Sequence, residues 1–203
     1  MGSDEVASRA VFVDRDGVLN HNWFNPSTDQ WESPVHPSDL RLCAGAADGL
    51  AALAADGYRL FVVSNQPSAA LGKCTIADLE AVHDEFLRQL AAAGVELDGS
   101  FYAYSHPKGV VPALAGDAHR RKPSPYLIET AIREHGLSKA ECWMIGDRDT
   151  DIESGQHAGV RTIQVKSSEP DGKAGTATPD FRADDFRGAA RIVMRIRAAG
   201  RNS

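Results

Sequence analysis

The chain has 203 residues, 42% of them hydrophobic, which suits one domain, or one domain with small insertions, around a sizeable core. Its 28 acidic residues outnumber 22 basic ones for a formal charge of −6, against the basic balance expected of a general nucleic-acid or anionic-membrane binder. No stretch approaches the length of a membrane span, the polar, acidic N-terminus up to Arg9 carries no leader pattern, and three scattered cysteines (Cys43, Cys74, Cys142) argue for reduced thiols, so a cytoplasmic location is expected.

In chain order, residues 10–13 (Ala-Val-Phe-Val) form an apolar run that reads as a buried strand. It ends in Asp14-Arg15-Asp16-Gly17, two carboxylates one residue apart followed by a glycine that permits a tight turn. Carboxylates this close both stay ionised only if a cation joins them or one keeps a proton. Residues 18–43 make a long connection with Trp23 and Trp31; these either shape a pocket wall or fold back as a small core. Residues 45–56 read as a helix stopped by Gly57, and residues 60–63 as a second strand ending in Ser64-Asn65-Gln66.

Thr75 caps an amphipathic helix whose apolar face is Ile76, Leu79, Val82, Phe86, Leu87 and Leu90. A third strand at 101–104 leads into a Gly-, Pro- and His-containing loop, then Lys122-Pro123-Ser124-Pro125 opens a helix with Leu127, Ile128, Ala131 and Ile132 inward. The fourth strand, 143–145, ends in Gly146-Asp147-Arg148-Asp149-Thr150-Asp151, and a short helix precedes a fifth strand at 162–165. Residues 167–181 look like a flexible connection and residues 184–199 like a final helix, whose four arginines read as a solvated face. The alternation of strands and helices predicts an α/β fold, a doubly wound parallel sheet with helices on both faces, within a single domain over 1–203.

In a parallel sheet the strand ends lie along one edge, where open α/β sheets bind ligands. Asp14, Asp16, Asp147 and Asp151 would meet there with Ser64 and Lys122. Such a set is costly to bury unless a metal and an anion balance it. A hard Mg2+ with oxygen ligands, shared with a phosphate, suits it.

Four segments in this order resemble the motifs of the haloacid dehalogenase (HAD) superfamily of phosphotransferases: residues 14–20, Ser64-Asn65-Gln66, Lys122-Pro123, and Gly146-Asp147 with Asp151. The resemblance implies a Rossmann-like HAD fold in which Asp14 is the nucleophile and Asp16 the general acid and base. It further implies Mg2+ held by Asp14, Asp16 (through its backbone carbonyl) and Asp147. Ser64, Asn65 and Lys122 would then bind phosphate, and Asp151 would orient Lys122 or a metal-bound water. A non-catalytic binding module on the same fold would normally lack Asp14 or Asp16.

Within the superfamily, Asp-Arg-Asp-Gly-Val-Leu-Asn, Ser-Asn-Gln, Tyr104-Ser105-His106-Pro107 and Arg121-Lys122-Pro123-Ser124-Pro125 are similar to the histidinol-phosphate and heptose-bisphosphate phosphatase group, which has no large cap domain. That resemblance implies a small phosphorylated substrate, a sugar bisphosphate, with removal of the 7-phosphate of D-glycero-D-manno-heptose 1,7-bisphosphate as the first expectation. Histidinol phosphate or another small sugar phosphate is the alternative. A monomer is expected, with no nucleic-acid or membrane partner.

The sequence departs from the group at two places. The counterparts of the group's zinc-loop cysteines and histidine read Ala103, Ser105, Ala118 and Arg120; His106 and His119 alone are a poor tetrahedral site, so no zinc is expected. Residues 67–72 read Pro-Ser-Ala-Ala-Leu-Gly, without the group's arginine. Cations for a second phosphate must then come from Arg121, Lys73, Lys108, Arg120 or Arg148; Arg121 is favoured as the neighbour of Lys122, with Arg148 next.

Overall fold

The protein is described here by a computed structural model covering residues 8–167 and 176–200. The N-terminal stretch read for a leader, and residues 168–175 of the connection read as flexible, lie outside the described residues.

Eight strands and five helices follow in the order β1 (Ser8–Val13), β2 (Trp23–Asn25), β3 (Gln30–Glu32), α1 (Ala46–Ala55), β4 (Arg59–Asn65), α2 (Ile76–Ala92), β5 (Gly99–Ala103), α3 (Tyr126–His135), β6 (Leu137–Gly146), α4 (Asp149–Ala158), β7 (Arg161–Val165), β8 (Phe181–Ala183) and α5 (Phe186–Gly200). Six strands form one sheet in the order β5-β4-β1-β6-β7-β8, every pair parallel. Successive side chains of a strand point to opposite faces, and β1 shows the consequence. Val11 and Val13 pack with Leu50, Leu53, Phe86, Phe186 and Val193 of α1, α2 and α5. Ala10 and Phe12 pack with Leu127, Ile128 and Ala131 of α3. Both faces of the sheet are therefore covered, as the alternating pattern predicts.

The order reverses direction at β1, which lies between β4 and β6. A crevice opens at such a switch point beyond the strands' carboxyl ends. Asp14, the residue after β1, stands in it, and its backbone N–H still donates to the carbonyl of Ile145 at 3.0 Å.

Three expectations change. The 18–43 connection contains the antiparallel hairpin β2–β3, in which Phe24 and Trp31 face each other edge-on at 5.5 Å; both are exposed, so this pair is no buried mini-core. The 167–181 connection ends in strand β8, hydrogen-bonded to β7 at the sheet edge. Leu87, placed on the inner face of α2, is exposed, because it lies one position past the buried stripe of Leu79, Val82, Phe86 and Leu90. Among the described residues no helix is long and apolar enough to cross a membrane.

Helix α5 locks onto α1 through shape and charge. A Cβ on Gly49 would lie 2.9 Å from the Phe186 ring, so only glycine admits that ring. Arg187 pairs with Asp48 at 2.6 Å, and Arg197 pairs with Asp56. Replacing Phe186 by Ala should cost about 3–5 kcal/mol by leaving a cavity between the helices. Urea unfolding should show it as a lower midpoint with an unchanged slope; an unchanged midpoint would mean that α5 is not part of the cooperative core.

Candidate active site

The site grows from the turn after β1. The N–H groups of Leu19 and Asn20 both donate to the carbonyl of Arg15, and Gly17 donates to Asn20 at 2.7 Å. Gly17 has φ +89°, and a Cβ there would lie 2.7 Å from Oδ2 of Asp147. A side chain at position 17 would therefore meet both a strained backbone and a carboxylate.

Lys122 comes to this turn from the loop that leads into α3. It is 2% exposed, and its ammonium reaches Asp14 Oδ1 at 2.9 Å, Asp151 Oδ1 at 2.6 Å and the Val63 carbonyl at 2.7 Å. Burial alone would lower its pKa, but the two carboxylates outweigh that and raise it, so it stays charged. Asn65 fixes the lysine backbone: its Nδ2 donates to the Lys122 carbonyl at 3.1 Å and its Oδ1 accepts from the Lys122 N–H at 3.0 Å. The Asn65 side chain thus clamps the Lys122 backbone.

Asp151 does two things at once. Oδ1 meets Lys122, while Oδ2 accepts from the Arg148 N–H at 3.0 Å and caps α4. Gly146 leaves the room for it: a Cβ at that position would overlap the Asp151 carboxyl group.

Asp16 faces elsewhere. Its Oδ1 accepts from Arg15 Nε at 3.1 Å and Asn20 Nδ2 at 3.0 Å, and its Oδ2 from Arg15 Nη2 at 3.3 Å and Gln66 Nε2 at 2.5 Å. Burial opposes its charge, but Arg15 and these hydrogen bonds prevail and hold its pKa below the usual carboxylate range. Arg15 is itself buried, lies 5.6 Å from the centre of the Tyr102 ring, and Tyr102 pairs with Nδ1 of His83 at 2.9 Å.

Ligand oxygens of Asp14, Asp147 and Asp151 all lie within 4.8 Å of one another. Asp147 Oδ1 is buried without a hydrogen-bond partner among the described residues. Burial, then Asp151 and Asp14, push its pKa up to about 7. Four buried carboxylates thus face two buried cations, Arg15 and Lys122. The two surplus negative charges and the unpartnered oxygen fit a divalent metal bound by oxygen ligands.

Of the five cations considered for a second phosphate, three are engaged by other groups or face solvent. Lys73 pairs with Glu32 of the hairpin at 2.8 Å, Arg120 stacks over Tyr126 at 5.2 Å, and Lys108 is exposed. Arg121 is half-buried, with Nη1 unpartnered among the described residues; burial and then Arg148 lower its pKa, while Asp14 raises it. Arg121 therefore lies within the electrostatic reach of both Arg148 and Asp14.

Ser64 is buried, and its Oγ accepts from Gln66 Nε2 at 3.2 Å. Three residues on Asp16 were given no role from the sequence: Arg15, between the carboxylates, Asn20 and Gln66. For Gln66 a signal was there, since residues 64 and 66 are two apart at a strand end and share one side of the chain.

The 105–121 loop holds its shape through backbone bonds. Val110 and Val111 both donate to the Ala70 carbonyl, at 2.7 and 3.2 Å, and Gly109 and Gly116 donate to the His106 carbonyl. His119 packs edge-on against Tyr126.

Among known proteins, residues 119–189 match the family model for HAD-hydrolase-like proteins. The parallel sheet, the switch-point crevice and the clustered carboxylates are those of that class. The D-glycero-beta-D-manno-heptose-1,7-bisphosphate 7-phosphatase of Salmonella typhi is 32% identical over 165 residues, covering 79% of this chain and 82% of the relative. The D-glycero-alpha-D-manno-heptose-1,7-bisphosphate 7-phosphatase of Photorhabdus laumondii is 29% identical over 164 residues, covering 80% and 85%. A crystal structure of D,D-heptose 1,7-bisphosphate phosphatase from B. bronchiseptica, complexed with magnesium and phosphate, superposes with a TM-score of 0.70 at 22% identity, covering 93% of this chain and 99% of that one; this likeness bears on the fold. The chain belongs to the family of the D-glycero-D-manno-heptose-1,7-bisphosphate 7-phosphatases.

Because Asp147 holds a proton more tightly in the native state than its ordinary value near 3.8 implies, it supports folding at low pH. That contribution is lost as pH rises through about 4 to 7. A divalent cation at the site should reverse the loss. Thermal melting with and without chelator should show a larger cation-induced rise in Tm at pH 8 than at pH 5. An equal rise at both would mean that Asp147 is not a ligand.

Proposed function

We propose that the protein is a Mg2+-dependent phosphomonoester hydrolase working through an aspartyl-phosphate on Asp14, and that it removes the 7-phosphate of D-glycero-D-manno-heptose 1,7-bisphosphate. The observation carrying the chemistry is the way Asp14 is held. Lys122 and the Arg15 N–H, at 2.9 and 2.8 Å, both engage Oδ1, which leaves Oδ2 for attack on phosphorus. Lys122 also offsets charge on the transferring phosphoryl group, and Ser64 donates to one of its oxygens. Asp16, ionised in the free site, first takes a proton from the bound phosphate monoester or from solvent, gives it to the departing alkoxide, and then takes a proton from the water that opens the aspartyl-phosphate. Asp14, Asp147 and the backbone carbonyl of Asp16 would hold Mg2+, whose charge offsets that of the phosphate. Asp151 keeps Lys122 in place.

The substrate reading rests on the relatives' activity and on Arg121 with Arg148. A half-buried guanidinium with an unpartnered nitrogen, close to a second arginine, is suited to a non-reacting phosphate. The relatives act on α- or β-configured heptose, and neither anomer is singled out by these two side chains. No zinc is proposed, because Ala103, Ser105, Ala118 and Arg120 supply no thiolate or imidazole.

The deciding experiment compares kcat/KM on the two heptose bisphosphate anomers and on histidinol phosphate. One heptose anomer should be preferred, activity should vanish with chelator, and Asp14→Asn should lose about a thousandfold or more in kcat. Arg121→Ala should raise KM for the bisphosphate about tenfold while leaving KM for an aryl phosphate within about twofold. Preference for histidinol phosphate would overturn the substrate, and undiminished turnover in Asp14→Asn would remove the nucleophile.

A further inference from the structure

Of the donors on Asp16, Arg15 and Asn20 belong to the same turn as the carboxylate and move with it. Gln66 does not. It comes from the end of β4, and its backbone is anchored by a 2.8 Å hydrogen bond from its N–H to the Ala103 carbonyl of β5. Its side-chain Nε2 spans Asp16 Oδ2 at 2.5 Å and Ser64 Oγ at 3.2 Å. The residue is 1% exposed, and its Oε1 is buried with no hydrogen-bond partner among the described residues. An unsatisfied buried carbonyl is costly, and such an orphan in a native structure calls for a reason. The reason lies at the other end of the amide: reversing it would aim Oε1 at an ionised carboxylate and break both contacts made by Nε2.

We propose that Gln66 is a positioning residue that sets the Asp16 carboxylate for proton transfer by tying it to the phosphate-binding hydroxyl of Ser64. The acid is carried by one strand end and the hydroxyl by the next. The leaving oxygen must sit within reach of the first while its phosphoryl group rests on the second. A single amide bridging the two fixes their spacing before substrate arrives, so no reorganisation is needed during the reaction. This inference rests on the reading of Asp16 as the general acid.

The test uses the leaving group. 4-Nitrophenyl phosphate releases a stable phenolate that hardly needs a proton, whereas benzyl phosphate releases an alkoxide that does. In Gln66→Met, which keeps length and burial but loses the N–H, kcat/KM for benzyl phosphate should fall about tenfold or more and that for 4-nitrophenyl phosphate by less than about threefold. Gln66→Asn, too short to span both partners, should behave alike and guards against a folding defect in the first variant. Equal falls on both esters, or none on benzyl phosphate, would overturn the proposal. Asp16→Asn separates the two ideas: it should show the same leaving-group dependence more strongly. If it does and the Gln66 variants do not, only the role of Gln66 fails; if it does not, the acid reading fails and this inference with it.

Discussion

The Lys122 ammonium touches oxygens from three separate parts of the chain: Asp14 after β1, Val63 in β4 and Asp151 in α4. Without it, two buried carboxylates would confront each other across the switch point. With it, three segments distant in sequence are drawn to one place. Removing one partner of such a buried arrangement leaves an uncompensated charge, which is why breaking it is far costlier than the pair's net worth. Neighbouring features exist to protect it. Asn65 holds the lysine backbone through both ends of its amide, and Gly146 leaves space for the Asp151 carboxyl group.

The site divides electrostatically into two halves. On one side Asp16 is matched by Arg15 and wrapped in N–H donors, so its charge is settled within the protein. On the other, Asp14, Asp147 and Asp151 share one ammonium, and Asp147 shows the imbalance in its raised pKa and unpartnered oxygen. A cation therefore has a reason to bind on the Asp14–Asp147 side, while the Asp16 carboxylate, matched by Arg15, has none to draw one to itself. That division is what the proposed roles of Asp14 and Asp16 draw on.

Around the crevice, short loops brace one another. The β2–β3 hairpin is tied to the 67–73 loop by Glu32 and Lys73, and that loop to the 105–121 loop by the Ala70 carbonyl. Residues 67–72 and the 105–121 loop are where the chain departs from its resembling group. A lysine open to a second phosphate on sequence grounds is here a structural tie. Of the candidates for a second phosphate, Arg121 and Arg148 are the two that act on each other electrostatically, and Arg121 also feels Asp14.

Much was legible in the residues alone. Apolar runs located five of the six strands of the sheet, and three of them, β1, β4 and β6, ended in the polar clusters of the rim, since a strand buried on both faces is apolar and its ligand-facing end is not. The hairpin and β8 were not legible, because strands of three residues carry too little periodicity to stand out, and β8 exists only where β7 offers it an edge. The sequence by itself determined the doubly wound sheet and the acidic, metal-ready character of its rim, for these follow from local pattern and residue chemistry. Tertiary structure decided which groups meet there: Asn65 on the Lys122 backbone, Lys73 on Glu32, Asp16 on Arg15 and Gln66. The physical reason is that a hydrogen bond or ion pair is satisfied by whichever partner folding brings within about 3 Å, and nothing in linear order specifies that distance.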